Sequence, residues 1–151
     1  MPSGSKRQPR RGVTLIELLV VLAAIAVLAT VVGPSLFRNV GDAKVSTARA
    51  QLDAYALALG AYRMDNEAFP STEQGLEALR TNPLAGSGTR WRGPYVAKVI
   101  VPDPWGRPYV YEAPGRVNPE TFDLYTLGRD GMPGGAGEDA DLTSWGGPVP
   151  Q

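Results

Sequence analysis

A single carboxylate stands near the start of a long apolar stretch and requires a chemical explanation. Glu17 begins a run of roughly twenty mostly apolar residues that ends at Gly33, a length that lets a helix cross a bilayer. An ionised carboxylate inside a bilayer costs at least about 2.5 kcal/mol. Cleavage between Gly12 and Val13 would create an amine about one helical turn from Glu17. An amine and a carboxylate can neutralise each other in a low-dielectric setting, within one chain or between neighbours.

Two ordinary interpretations of this stretch explain it less completely. A secretory signal peptide has a shorter apolar core and a small-residue cleavage site after it, and residues 33–38 do not resemble such a site. A plain membrane anchor explains the length, and it leaves Glu17 without a role. Whether the run is a plain anchor or a helix with a cleavage site ahead of it, the basic residues before it would hold the N-terminus in the cytoplasm. These residues are Lys6, Arg7, Arg10 and Arg11.

A second group of carboxylates, near the C-terminus, has the chemistry of a calcium site. Hard oxygen ligands are available there, and the intervening glycines allow backbone carbonyls to turn inward; the carboxylates are Asp130, Glu138, Asp139 and Asp141. Calcium takes six to eight oxygen ligands at about 2.3–2.6 Å. The spacing is not that of an EF-hand. From the residues alone, a calcium site and an acidic, solvated loop both remain open.

The composition restricts the remaining chemistry. The 151 residues include no cysteine and no histidine, so disulfides, thiolate metal sites and the commonest general base are excluded. The 15 basic and 15 acidic residues become 11 − 15 = −4 once the four basic residues of the leader are removed. A net acidic chain binds phosphates poorly. The basic and aromatic stretch Arg90-Trp91-Arg92 could bind single-stranded nucleic acid, but a solvent-exposed rim of the domain explains it equally well. We expect neither an enzyme nor a nucleic-acid-binding protein.

The element that must position Glu17 is a long helix. Beyond the apolar run, apolar residues recur at spacings of three and four, which predicts one helical face buried under a domain; they are Leu36, Val40, Ala48, Leu52, Tyr55, Leu59 and Tyr62. We expect one helix from about Val13 to Asp65. An interruption is expected at Gly33-Pro34, because proline lacks the N–H that a helix needs.

The rest of the chain is expected to contain short elements separated by turns. Ser71 and Gln74 match a capping box at the start of a brief helix. Residues 108–112 and 121–126 are rich in aromatic and β-branched side chains and predict two antiparallel strands. A domain with so small a core needs an additional staple, and the acidic C-terminal loop is the candidate.

The N-terminal motif resembles a known processing signal. Gly12-Val13-Thr14-Leu15-Ile16-Glu17 is similar to the type IV prepilin signal of type IV pilins and of the pseudopilins of type II secretion systems. The resemblance implies cleavage after Gly12 by a prepilin peptidase, N-methylation of Val13, and packing of the apolar helices into a filament core. It also implies that Glu17 attracts the amine of an adjacent subunit during assembly. Val13 departs from the family, which usually has phenylalanine there.

Motifs farther along the chain resemble the major pseudopilins of type II secretion, general secretion pathway protein G. These motifs are residues 71–76, 93–95, 103–106 and 123–131, followed by the acidic tail. The resemblance implies a calcium ion that ties the loop after a strand to the C-terminal loop. The implied ligands are the carbonyls of Leu127 and Met132 and the carboxylates of Asp130 and Asp141. Asp139 is a further candidate at a position that varies in the family, and Glu138 is not carried over.

The resemblance also implies an α+β, pilin-like fold in three parts. Residues 1–12 would be a leader, 13–36 the membrane-spanning and filament-core half of the helix, and 37–151 a periplasmic domain. In that domain the amphipathic half of the helix would pack on a small antiparallel sheet with a calcium-stapled C-terminal loop. The chain would cross the inner membrane of a Gram-negative envelope once, with its N-terminus in the cytoplasm.

The function implied is that of the major structural subunit of the type II secretion pseudopilus. Such a subunit polymerises in the periplasm and drives folded proteins through the outer membrane. Its implied partners are further copies of itself, minor pseudopilins, the prepilin peptidase and the inner-membrane assembly platform. The alternative is a type IV pilin of a surface fibre, for adhesion, motility or DNA uptake. Major pilins often close their C-terminal region with a disulfide, which this chain cannot form.

Overall fold

A computed structural model describes residues 12–83 and 90–149, with the backbone alone for residues 31–38. The elements are, in order, one long α-helix, a short 3-10 helix, two strands, a second 3-10 helix and a third strand. The chain divides into two compact units, Met1–Asn39 and Val40–Gln151. Apart from Gly12, the predicted leader lies outside the described residues.

The long helix, α1, spans Leu15–Asn66, so the predicted single helix is confirmed with its ends shifted by one or two residues. It begins after Thr14, whose Oγ1 accepts a hydrogen bond from Glu17 N at 3.3 Å, as N-terminal threonines commonly do. Residues 33 and 34 lie within α1, so the interruption predicted there is wrong; the proline costs the helix a hydrogen bond without ending it. In the part of the chain that the structure describes, no helix combines the length and apolar character needed to cross a membrane.

The predicted buried face of α1 is largely confirmed: Ala48, Leu52, Tyr55, Leu59 and Tyr62 all lie in the core. Val40 was placed on this face wrongly, because its side chain is 58% exposed. Val40 lies eight residues before Ala48, which places it roughly 80° away around the helix, whereas Gly41, seven residues before, lies within about 20° and is buried. The side chain of Leu36 lies outside the described residues.

A three-stranded antiparallel sheet packs beneath α1, with strand order β1-β2-β3. Strand β1 is Val110–Glu112 and β2 is Asp123–Thr126, so both predicted strands are confirmed in shorter form. Strand β3, Leu142–Thr143, was not expected, because two residues carry no readable alternation. Leu124 and Leu142 enter the same buried cluster as the inner face of α1, which is how the sheet is held to the helix.

The predicted brief helix formed only in part. Ser71 N donates to Gln74 Oε1 at 2.8 Å and Gln74 N donates to Ser71 Oγ at 3.3 Å, so the reciprocal bonds of the capping box are confirmed. They close a turn and not an α-helix, because Gly75 has a positive φ of 60° that ends the turn. A 3-10 helix follows at Leu76–Leu79 and buries three of its residues in the core.

Candidate assembly motif and C-terminal loop

The N-terminal motif lies at the start of α1, where Val13 and Glu17 are both exposed. Glu17 lies in the first helical turn, where the free N–H groups and the helix dipole favour a negative charge. Glu17 is not part of any of the ion pairs found among the described residues, and its side chain is exposed. A second molecule can therefore reach its carboxylate.

The residues around Glu17 present apolar side chains that a single copy leaves uncovered. At least half of the surface of each is exposed: Leu15, Ile16, Leu18, Leu19, Val20, Val21, Leu22, Ile25, Val27 and Leu28. An exposed apolar surface on this scale is typical of a segment that contacts lipid or another protein. This segment is therefore suited to association with lipid or with another protein.

The acidic C-terminal segment is a loop between β2 and β3, residues 127–141. Strand β2 pairs with β3 through Thr126 and Leu142. This pairing brings Leu127, at the start of the loop, next to Asp141, at its end. The sequence placed these residues in one loop, and the short strand β3 is the element that closes it.

Two of the predicted ligands are held by backbone N–H groups within this loop. Asp130 Oδ1 accepts from Met132 N at 3.0 Å, and Asp141 Oδ2 accepts from Gly134 N at 2.8 Å. The second oxygen of Asp141, Oδ1, is buried and has no hydrogen-bond partner among the described residues. Such an orphaned acceptor costs about 1–3 kcal/mol, and a bound cation would remove that cost.

The remaining carboxylates of the loop already contact a cation of this chain. Arg129 donates from Nε and Nη2 to the two oxygens of Asp139, at 2.9 and 2.8 Å. Its Nη1 lies 3.5 Å from Glu138 Oε1. These contacts raise the pKa of Arg129, chiefly through the hydrogen bonds to Asp139. The sequence had not singled out Arg129, although a basic residue inside an acidic loop was a signal that could have done so.

The motif at residues 103–106 supports the loop from the side. Asp103 is buried, and its Oδ1 accepts from Trp105 N at 3.0 Å and Arg107 N at 2.8 Å. The turn fixed in this way aims two side chains at the loop. Trp105 Nε1 donates to Glu138 Oε2 at 3.0 Å, and the Arg107 guanidinium donates to the carbonyls of Gly128 and Arg129 at 3.2 and 2.7 Å.

The donor set of the loop fits a hard cation in kind. In residues 12–83 and 90–149, no three carboxylates form a group that could hold a metal ion by themselves. The ligand set implied by the resemblance also contains the carbonyls of Leu127 and Met132, and it consists entirely of oxygens, as calcium prefers. The orphaned oxygen of Asp141 fits that set, whereas both oxygens of Asp139 are engaged by Arg129.

Two family models match this sequence and together cover most of it. The model described as type II secretion system (T2SS), protein G, matches residues 35–145. The prokaryotic N-terminal methylation motif matches residues 7–33. The second match includes Gly12, Val13 and Glu17, and the first includes the entire C-terminal loop.

Individual relatives agree with the family models. The chain is 43% identical over 141 residues to the type II secretion system core protein G of Pseudomonas aeruginosa, covering 93% of this chain and 98% of the relative. It is 39% identical to the core protein G of Vibrio cholerae, covering 93% and 94%. Its structure resembles the crystal structure of the major pseudopilin of the type 2 secretion system of enterohaemorrhagic Escherichia coli. That match has a TM-score of 0.57 and 34% identity, and it covers 71% of this chain and 87% of the other.

Proposed function

This chain belongs to the type II secretion system protein G family, and we propose that it is the major structural subunit of a type II secretion pseudopilus. The observation that carries the proposal is the match of a protein G family model to residues 35–145, which contain both the fold and the C-terminal loop. The relatives from Pseudomonas aeruginosa and Vibrio cholerae are matched over nearly their whole length. The function of the protein is then to polymerise into a pseudopilus, and this polymerisation drives folded proteins through the outer membrane.

Assembly would proceed through the N-terminal segment. Cleavage after Gly12 and methylation at Val13 are supported by the methylation-motif match to residues 7–33. The new amine at Val13 would pair with Glu17 of a neighbouring copy, because each charge removes the cost of leaving the other unpaired in an apolar filament core. The exposed apolar side chains around Glu17 would provide the contact between copies.

Residues 13–36 would hold the chain in the inner membrane before assembly, with the N-terminus in the cytoplasm and the domain from residue 37 in the periplasm. The length of the apolar run and the basic residues ahead of it support this orientation. The partners would be further copies, minor pseudopilins, the prepilin peptidase and the inner-membrane assembly platform. Nucleic acid is not among them, because the processed chain is net acidic.

Calcium would staple the C-terminal loop in the periplasm. The carboxylates of Asp130 and Asp141 and the carbonyls of Leu127 and Met132 would hold the ion. The buried, unpartnered Oδ1 of Asp141 is the structural feature that favours a cation there. The ion would stiffen the surface that packs in the fibre, with an affinity on the order of 10⁻⁴–10⁻³ M, as in other extracellular modules.

Deleting the gene for this chain tests the secretion function. Secreted folded proteins should then accumulate in the periplasm, and complementation by the full chain should restore their export. Loss of surface fibres with export unchanged would overturn the proposal in favour of a type IV pilin. If neither protein export nor the surface fibres change, both the pseudopilus proposal and the type IV pilin alternative are excluded.

Thermal unfolding tests the calcium site in the full chain, solubilised in detergent. Trp91, Trp105 and Trp145 all lie in the second unit, so tryptophan fluorescence reports on that unit alone. Millimolar calcium should raise Tm relative to chelator in the native chain and in the control Glu120→Gln, which alters an exposed side chain. The rise should disappear in Asp130→Asn and Asp141→Asn. An equal Tm with and without calcium in the native chain would remove the ion from the proposal.

A further inference from the structure

The C-terminal loop is held at two places by different chemical groups. In the first half of the loop, the N–H groups of Met132 and Gly134 donate to the carboxylates of Asp130 and Asp141. Toward its end, residues 136–140 are held by Arg129. The two places differ in how their carboxylates are held: those of Asp130 and Asp141 accept from backbone N–H groups, whereas that of Asp139 accepts from a guanidinium.

Arg129 grips the end of the loop through both its side chain and its backbone. The guanidinium makes a two-pronged contact with Asp139, at 2.9 and 2.8 Å, the geometry in which arginine binds carboxylates most strongly. Its backbone N donates to Glu138 O at 2.8 Å. The neighbouring Gly128 has a positive φ of 65°, and a Cβ there would lie 2.6 Å from Glu138 O. The two backbone segments are therefore in close contact.

This contact determines which carboxylates a metal ion can reach. Both oxygens of Asp139 already accept hydrogen bonds from a full positive charge. A calcium ion on Asp139 would either displace the guanidinium or bind the remaining lone pairs of these oxygens, and in both cases the two cations would repel each other. Asp141 has a buried oxygen without a partner, and its carboxylate needs no such displacement.

We propose that Arg129 is a built-in cation that closes residues 136–140 of the C-terminal loop without metal, and that it withdraws Asp139 from the calcium ligand set. The guanidinium of Arg129 and the ion at Asp130 and Asp141 are then two independent fastenings of the loop, in addition to its contacts with Trp105 and Arg107. The second fastening rests on the calcium site proposed above, whereas the first does not. Chelation should therefore open only part of the loop.

Hydrogen exchange followed by mass spectrometry separates the two fastenings. The full chain in detergent is measured with calcium and with chelator, in the native form and as Arg129→Met, Arg129→Lys and Asp139→Asn. The matched control is Arg116→Met. Arg116 makes the same two-pronged contact with Glu112, at 3.0 and 3.0 Å, away from the loop.

Arg129→Met should speed exchange at residues 136–140 about fivefold, the upper range for an exposed ion pair, both with calcium and with chelator. Arg129→Lys, which keeps the charge without the fork, should have a smaller effect. Asp139→Asn should behave as Arg129→Met does at residues 136–140 and keep the slowing by calcium at residues 130–135. Arg116→Met should leave the loop unchanged.

Two results would overturn the inference. One is exchange in Arg129→Met that equals the native rate at residues 136–140. The other is loss of the calcium effect in Asp139→Asn, which would make Asp139 a ligand. If calcium has no effect on the native chain, the calcium proposal fails, and the result for Arg129→Met still decides whether the guanidinium closes the loop.

Discussion

Glu138 of the C-terminal loop occupies the space that a side chain on Gly41 would fill. A Cβ added to Gly41 would lie 2.7 Å from Glu138 Oε1, and the other carboxylate oxygen accepts from Trp105 Nε1 at 3.0 Å. Glycine inside a helix costs roughly 0.5–1 kcal/mol relative to alanine. At position 41 the missing side chain leaves room for the loop to lie directly on α1.

Gly41→Ala should therefore destabilise the native chain although alanine favours a helix. The added methyl group moves the Glu138 carboxylate away from Trp105, and a hydrogen bond to a charged group contributes about 1.5–3 kcal/mol. In a Glu138→Ala background the same change should instead stabilise by about 0.5–1 kcal/mol. Urea unfolding followed by circular dichroism would measure both values. Equal effects of Gly41→Ala in the two backgrounds would show that Glu138 does not occupy this space.

Asp123 anchors the turn between β1 and β2, and its contribution should depend on pH. Its carboxylate is buried and accepts from Val117 N at 2.7 Å, Asn118 N at 3.1 Å and Asn118 Nδ2 at 2.7 Å. Burial opposes ionisation, but these hydrogen bonds together outweigh it and hold the pKa of Asp123 below its ordinary value. The ionised form is therefore favoured by folding.

Asp123→Asn should cost about 1–3 kcal/mol at pH 7, because an amide group would face donors where a carboxylate accepts. The pKa is depressed in the folded state, so this contribution is complete above the unfolded pKa of about 3.9 and is lost as the pH falls toward the folded value. The gap in stability between the native chain and Asp123→Asn should accordingly narrow below about pH 4. Asp53→Asn, on the exposed side of α1, is the control. A gap that stays constant from pH 7 to pH 2 would contradict the assignment.

The sequence predicted those parts of the structure that repeat or that carry a local signature. The helix and its buried face follow from a period that extends over many turns, and the bonds between Ser71 and Gln74 follow from a spacing of three. Strand β3 has two residues and no pattern of its own. It forms because Leu142 is buried in the core and pairs with Thr126. This is a tertiary contact, and the local sequence of neither segment predicts it.

The sequence showed which oxygen donors the C-terminal loop contains, but not how its side chains pair with one another. Oxygen-rich residues between glycines indicated a loop for a hard cation. Which carboxylate stays available depends on the contact between Arg129 and Asp139, which the closure of the loop creates. The role of Glu138 depends on Gly41, which lies far away in the sequence.

Glu17→Gln tests the role of the N-terminal carboxylate in assembly. The change keeps the size and polarity of the side chain and removes the charge that would pair with the amine at Val13 of a neighbour. The variant should insert and be cleaved normally, because Gly12 and the apolar run are intact. It should form few fibres, as counted by electron microscopy of sheared material, and secretion should fall with them. Normal fibres and normal secretion would exclude the proposed pairing.

A second exposed set of apolar and small side chains lies on the outer face of α1 and should also contribute to assembly. Leu57 and Met64 are 78% and 87% exposed. They are seven residues apart and so lie on the same side of the helix. Exposed residues continue this face at spacings of three and four: Val40, Ala43, Thr47, Ala50, Ala54 and Ala61. Single exposed apolar residues are ordinary, and we expect a contact between copies here because these residues share one face of the helix.

Replacing both Leu57 and Met64 by serine should shift the Tm of the domain by no more than about 5 °C, because each exposed substitution changes stability by only about 0.5 kcal/mol. The yield of fibres should nevertheless fall, since the copies lose apolar area that only assembly would bury. Val99→Ser is the matched control, because Val99 is 59% exposed and lies outside α1. Fibre yield is compared by sedimentation at equal expression. A native yield from the double variant would show that this face stays in solvent in the pseudopilus, and that the residues around Glu17 carry the assembly without it.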